Sequence, residues 1–257
     1  MSEIHPTAVV DSKAKIGDGV KLGAFCVVGA NVTIGAGTEL MSHAVVDGYT
    51  TVGDECVIHP FARVGGRTQD LKYNGGAPGV VIGNKTVIRE CVTVNAATHD
   101  GEMTRVGSGC LLMAYSHVAH ACSVGDAVIL ANGVQLAGDA VVEDFAILEG
   151  LAGIVQFRRV GKMAFIGAMS KITKDVPPFM IADGADIEVR GYNKVGMERR
   201  GISEESRGAV KEAYRILYRQ NDPLADALRR LETELPQTPE IQYLIQFIRA
   251  SKAGIIR

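Results

Sequence analysis

The chain has no tryptophan in its 257 residues, and its net charge is only −2. So small a charge gives bulk electrostatics no reason to expect a nucleic-acid or anionic-membrane partner. No apolar run approaches the ~18 residues that a membrane-spanning helix needs, so no membrane insertion is expected. The opening MSEIHPTAVVDSKAK lacks a basic segment followed by an apolar block. No secretory leader is expected there, and the reading is of a cytoplasmic protein. The five cysteines, at 26, 56, 91, 110 and 122, are odd in number, far apart and without a CxxC spacing. They read as reduced, buried packing thiols with no redox or metal role.

What the sequence has in quantity is glycine, 30 residues of it, together with valine and isoleucine. Glycine suits tight turns and β-branched residues suit strands, so this is a strand-and-turn chain. Stepping by six from Ile4 meets Val10, Ile16, Leu22, Val28, Ile34, Leu40, Val46, Val52, Ile58 and Val64, all aliphatic. A second run from Val106 to Ile172 holds the same step without a miss, and Ile82, Ile88 and Val94 form a short block between. A helix would show a period near 3.6 and an alternating strand a period of 2. A period of six fits a three-sided prism in which each hexad supplies one inward aliphatic and turns one corner. At three hexads per coil the prism has about nine coils.

The register breaks at 66–81 (GRTQDLKYNGGAPGVV) and at 95–105 (NAATHDGEMTR), which read as polar loops ejected from the solenoid beside a binding face. The prism spans residues 1–180. From 181 to 257 a connecting segment leads into a small helical domain. There Val210, Ala213, Tyr214 and Leu217 share one helical face, Leu224, Leu228 and Leu231 a second, and Ile241, Leu244, Ile245 and Ile248 a third. Asp222-Pro223 and Thr238-Pro239 read as cap-then-proline helix starts.

In such a prism, residues eighteen apart lie on successive coils about 4.8 Å apart. His120 then stacks on Gly138 and Gln156, and Ala121 on Asp139 and Phe157. A general base, a carboxylate one coil away that could orient it and a glycine amide placed as an oxyanion donor form one candidate catalytic patch.

Several stretches carry a resemblance: QDLKY (69–73), VIRECVTV (87–94), LLMAYSHVAHACSVG (111–125), ILANGVQLAG (129–138), DFAILEGLAGIVQF (144–157), DVPPF (175–179) and ERRGIS (198–203). Together they resemble, in order and along the whole chain, the UDP-N-acetylglucosamine 3-O-acyltransferases that start lipid A synthesis. The resemblance implies a left-handed parallel β-helix and a homotrimer with active sites between neighbouring prisms. It also implies acyl carrier protein as thioester donor, with acyl-phosphopantetheine as donor substrate, no permanently bound cofactor and no metal. Carried over by position, His120 matches the general base and Gly138 the oxyanion donor. Asp70, Lys72 and His117 match sugar-nucleotide contacts, and Gln156, in the column of His120, is a further substrate-binding candidate. Asn193, Arg199 and Arg200 match positions that meet the nucleotide, the pantetheine or the carrier protein.

Three positions depart from the family pattern: Ala121 replaces an aspartate after the base, Asp139 a histidine, and Val155 another histidine. Because positions 121 and 139 are stacked, Asp139 is expected to supply the acid that orients His120. The departures leave open a 3-amino acceptor sugar, or a paralogue that binds sugar nucleotide or carrier protein without catalysis. Further alternatives are a coenzyme-A-dependent hexapeptide acetyltransferase, and a zinc carbonic anhydrase-like trimer with His117, His120 and His99 as ligands. Ala168 and Met169 are candidates for lining the acyl groove.

Overall fold

The computed structural model describes residues 2–257. Short strands, most of them two residues long, are laid into three sheets of 11, 9 and 8 strands. Within these sheets residues one coil apart pair in parallel, Leu111 with Ile129 and His117 with Gln135 among them. The eighteen-residue spacing is therefore a spatial contact.

The inward hexad residues from Leu22 to Ile172 are each no more than 3 % exposed, so one aliphatic column per face fills the prism. Ile4 is 49 % exposed because no earlier coil covers it. At most corners one residue enters the left-handed region. On the corner after the nine-stranded sheet these are Ala121, Asp139 and Phe157, with φ of 55°, 60° and 62°. Coils approach so closely at some turns that only glycine fits. A Cβ at Gly35 would stand 2.5 Å from the Gly53 carbonyl carbon.

The five cysteines are free and four are buried. Burial pushes the Cys110 thiol up to about 11 and the Cys122 thiol up to about 12, so these groups pack and do not attack.

Both register breaks open at one corner, between the nine- and eight-stranded sheets. The strand Arg63–Gly66 is followed by Gly79–Ile82, and Thr93–Asn95 by Met103–Val106, so the loops occupy 67–78 and 96–102. They are tied together: Ala77 N donates to Asp100 Oδ1 at 2.7 Å, and Asn95 Nδ2 donates to the Arg67 carbonyl at 2.6 Å. Glu102 Oε2 accepts from the backbone N–H groups of Thr98 and His99, which closes the second loop on itself.

Past Ile172 the chain makes an antiparallel pair, Met180–Asp183 with Glu188–Tyr192. Four helices follow: α1 (Lys194–Arg199), α2 (Glu204–Arg219), α3 (Leu224–Thr233) and α4 (Pro239–Ala250). Helix α2 buries Val210, Ala213, Tyr214 and Leu217, and α4 buries Ile241, Leu244, Ile245 and Ile248, the faces expected from their spacing. Thr238 caps α4 by accepting from Ile241 N, with Pro239 in the first turn. Asp222 does not cap α3. Its carboxylate is drawn 2.7 Å from Arg230, and Pro223 occupies the cap position with no side-chain bond. The tail is latched to the prism through Glu143, which takes Arg159 at 2.7 Å and the Tyr243 hydroxyl at 2.7 Å. Among the described residues no helix is long and apolar enough to cross a membrane.

Candidate active site

A groove of about 830 Å³ runs along the outer surface of the nine-stranded sheet, with the first loop as one wall. Its floor is made by columns of the repeat. His117, Gln135, Gly153 and Lys171 form one, Ala119, Ala137 and Val155 the next, and His120, Gly138 and Gln156 a third, with Gln69, Asp70, Leu71, Lys72 and Asn95 at the loop end.

His120 lies flat against the next coil. A Cβ built on Gly138 would meet the imidazole Cε1 at 2.1 Å and Nε2 at 2.3 Å. Only glycine leaves room for the ring here, and it leaves the ring in contact with backbone. The Gly138 N–H finds no acceptor among the described residues, which keeps it available as a donor. Below it, the corner is held by Asp139 N donating to the His120 carbonyl at 3.0 Å and Ala121 N donating to Thr104 Oγ1 at 2.9 Å.

The sequence points to Asp139 as the acid that orients His120, but the structure sets a different carboxylate there. Asp70 Oδ2 lies 4.0 Å from His120 Nδ1, whereas Asp139 makes no hydrogen bond with the imidazole and lies outside the groove lining. Column counting locates neighbours on the coils and misses a loop that folds back over them. Asp70 is held in place by three contacts. Its Oδ1 accepts from Lys72 N at 3.0 Å, its Oδ2 from Thr98 Oγ1 at 3.2 Å, and its own N–H donates to Thr68 Oγ1 at 3.1 Å. The Lys72 amide, then the Thr98 hydroxyl and the charges of His120 and Lys72, hold the Asp70 carboxyl below its usual range. Burial, together with the negative charges of Glu102 and Asp70, pushes Asp139 up, against the pull of His120 and Lys72. Asp139 thus acts on the imidazole only through its longer-range field.

His117 is half-buried three residues before His120, and Thr93 Oγ1 sits 2.7 Å from its Nδ1. Burial pushes its pKa below the usual histidine value, with the charge of His120 adding to the effect. Its ring is therefore a hydrogen-bonding group, biased toward the neutral form, in the lining of the groove. His99 does not join the other two histidines. Among the described residues, no three His, Cys, Asp or Glu side chains come close enough to hold a metal ion.

The remaining candidates lie elsewhere on the chain. Asn193 is buried and its side chain is fully engaged, Oδ1 accepting from Gly196 N and Nδ2 donating to the Met163 carbonyl. It caps α1 and so positions the exposed Arg199 and Arg200. The Arg200 guanidinium stacks 4.3 Å over the Phe145 ring, at the corner after the eight-stranded sheet, one face away from His120. Ala168 and Met169 are exposed at the third corner and do not line the groove of this chain. Sequence reasoning missed Gln135 and Lys171, although both fall in the column of His117 at steps of eighteen and were accessible to the same counting.

Comparison with known proteins bears on this arrangement. A family model described as UDP-N-acetylglucosamine O-acyltransferase, domain 2, matches residues 175–256, and a bacterial transferase hexapeptide model matches 13–48 and 103–138. An acyl-[acyl-carrier-protein]–UDP-N-acetylglucosamine O-acyltransferase from Thermodesulfovibrio yellowstonii is 46 % identical over 258 residues, covering 100 % of both chains. This chain belongs to that family. A protein of the same name from Herminiimonas arsenicoxydans is 42 % identical over 100 % of both. Among solved structures, LpxA, a UDP-N-acetylglucosamine acyltransferase from Bacteroides fragilis, matches with a TM-score of 0.95 at 38 % identity, over 99 % of this chain and 100 % of that one. The Arabidopsis UDP-N-acetylglucosamine acyltransferase matches at 0.88 and 33 %, over 99 % and 100 %. The family match thus includes both loops and the helical tail as well as the hexads, and the fold is the left-handed parallel β-helix with a C-terminal helical domain.

Proposed function

We propose that the protein transfers a 3-hydroxyacyl chain from acyl carrier protein to the 3-position of UDP-N-acetylglucosamine, with His120 as general base. The observation that carries this reading is the imidazole lying on Gly138 at the floor of the groove, with a free backbone N–H beneath it and the Asp70 carboxylate behind it. Nδ1 faces Asp70, so Nε2 is the atom left for the substrate. It takes the proton of the sugar hydroxyl as that oxygen attacks the thioester carbonyl. The Gly138 N–H stabilises the oxyanion of the tetrahedral intermediate. Collapse breaks the C–S bond, and the pantetheine thiolate takes the proton back from Nε2. The imidazolium formed in between is balanced by Asp70, with Asp139 adding to the negative field. Lys72, His117 and Gln156 contact the sugar nucleotide, and acyl-phosphopantetheine is the donor substrate in place of any resident cofactor.

One chain supplies only part of this site. Arg199 and Arg200 sit a full face away from the groove of their own prism. An exposed apolar ridge lines the corner between the 11- and nine-stranded sheets: Phe25, Phe61, Tyr115, Leu151 and Met169, with His43 stacked 5.0 Å from both phenylalanines. A homotrimer covers that ridge and brings the arginine pair of one prism to the groove of the next, a heterologous contact that closes after three copies.

The test is mass spectrometry of the product formed from purified protein, 3-hydroxyacyl carrier proteins of several chain lengths, and UDP-N-acetylglucosamine or its 3-amino analogue. The expected product is UDP-N-acetylglucosamine carrying one acyl group. Acylation of the amino analogue alone would reassign the acceptor, and no product with any pair would leave a binding protein.

A further inference from the structure

Counting back eighteen residues from His117 reaches His99, but residues 96–102 stand out of the coil as a loop. The residue stacked beneath the imidazole is Thr93, 24 positions earlier, with its Oγ1 2.7 Å from His117 Nδ1. This contact is held by the sheet itself. Thr93 and His117 are paired in register, Thr93 N donates to the Ser116 carbonyl at 3.1 Å, and a β-branched side chain in a strand has few rotamers to choose from. Thr93 faces a separate hollow of about 280 Å³ beside Arg63 and Arg67 and takes no part in the lining of the groove. It can act on a ligand in the groove only through His117.

We propose that Thr93 is a positioning residue for the acceptor sugar: its hydroxyl donates to His117 Nδ1, which places the ring proton on Nε2 as a donor to an oxygen of the sugar. The inference rests on the acyltransferase reading above and names how one part of that site is set. A threonine hydroxyl carries one proton, and among the described residues His117 Nδ1 is the only hydrogen-bond partner of this one. The opposite tautomer, with Nδ1–H donating to Oγ1, leaves that hydroxyl proton with no acceptor in the protein. The bias of His117 toward its neutral form is what gives Thr93 this control, since an imidazolium has N–H on both nitrogens and leaves nothing to select. The two histidines of the groove then carry opposite tautomers. His120 turns Nδ1 to Asp70 and keeps Nε2 bare to take a proton. His117 turns a bare Nδ1 to Thr93 and offers Nε2–H, so it holds the sugar without competing for the proton of the attacking hydroxyl.

The test joins a spectrum to kinetics. Nitrogen-15 spectra of the histidine-labelled full-length protein, taken well above the ordinary histidine value of about 6.5, should show the proton of His117 on Nε2, the signals being assigned by their loss in His117→Gln. Thr93→Val keeps the shape and removes the hydroxyl. It should give a mixture of the two tautomers and raise KM for UDP-N-acetylglucosamine about fivefold, the size expected of one neutral hydrogen bond. KM for acyl carrier protein and kcat should stay within about twofold. Thr93→Ser should restore both the spectrum and the sugar KM, and Thr93→Val should add nothing in a His117→Gln background. A proton on Nδ1 in the unaltered protein, an unchanged sugar KM, an equal rise for the carrier protein, a serine variant no better than the valine one, or a full further loss without His117 would each overturn the assignment. If Thr93→Val does not fold, the spectra of the unaltered protein and of Thr93→Ser decide. If the unaltered protein transfers no acyl group, the acyltransferase reading falls, while the spectrum and the calorimetric Kd for UDP-N-acetylglucosamine, which Thr93→Val should weaken by the same factor, still test the role of Thr93.

Discussion

Gly138 cannot be another residue while the imidazole of His120 lies where it does, because a β-carbon there would overlap the ring at 2.1 Å. Gly138→Ala is therefore expected to turn His120 out of the groove and lower kcat by about 10²–10³-fold, with near-wild-type circular dichroism and oligomer mass. His117 makes a prediction in pH. Burial holds its pKa below the usual histidine value, so on acidification the unfolded chain takes up this proton before the folded one does. Its contribution to stability is complete above the unfolded value of about 6.5 and declines as pH falls from there toward the folded value. In urea titrations, His117→Gln should flatten that part of the stability–pH curve. Asp70 shows where residue-level reading stops. QDLKY marks it as a candidate, but no spacing rule brings residue 70 to residue 120, because the approach is made by an irregular loop.

The hexads and the helical faces were legible in the sequence because a single period repeats on elements whose pairing is local. The register Leu22, Val28, Ile34 is buried as spaced, and so are Val210, Ala213, Tyr214 and Leu217. The pair Met180–Asp183 and Glu188–Tyr192 and helix α1 escaped, being too short for any period to show. The two polar loops were visible as breaks in register, but their mutual packing was not, since it depends on single hydroxyl and amide contacts. Thr98 is the centre of that packing, donating to Asp70 Oδ2 at 3.2 Å and meeting Thr68 Oγ1 at 3.4 Å. Thr98→Val keeps the shape and removes the hydroxyl. It should cost about 1 kcal/mol and speed hydrogen exchange at the Lys72 and Tyr73 amides. It should also lower kcat more than it lowers the melting temperature of the prism.

At the scale of the molecule, the homotrimer proposed above rests on geometry that no column count reveals. Arg199 and Arg200 lie a full face from the groove of their own prism, and the ridge of Phe61, Tyr115, Leu151 and Met169 is exposed on the single chain. Leu151→Glu places a charge on that ridge while leaving the inward column intact. Sedimentation should show the trimer replaced by single chains, with acyl transfer lost and the helical and strand signals of circular dichroism preserved. The most direct measurement is the single-turnover rate of acyl transfer to UDP-N-acetylglucosamine by His120→Asn, with trimer mass and melting temperature checked alongside. A fall of about 10²–10⁴-fold is expected for loss of the general base. A rate within twofold of the unaltered protein would contradict the assignment of His120 as the group that takes the proton.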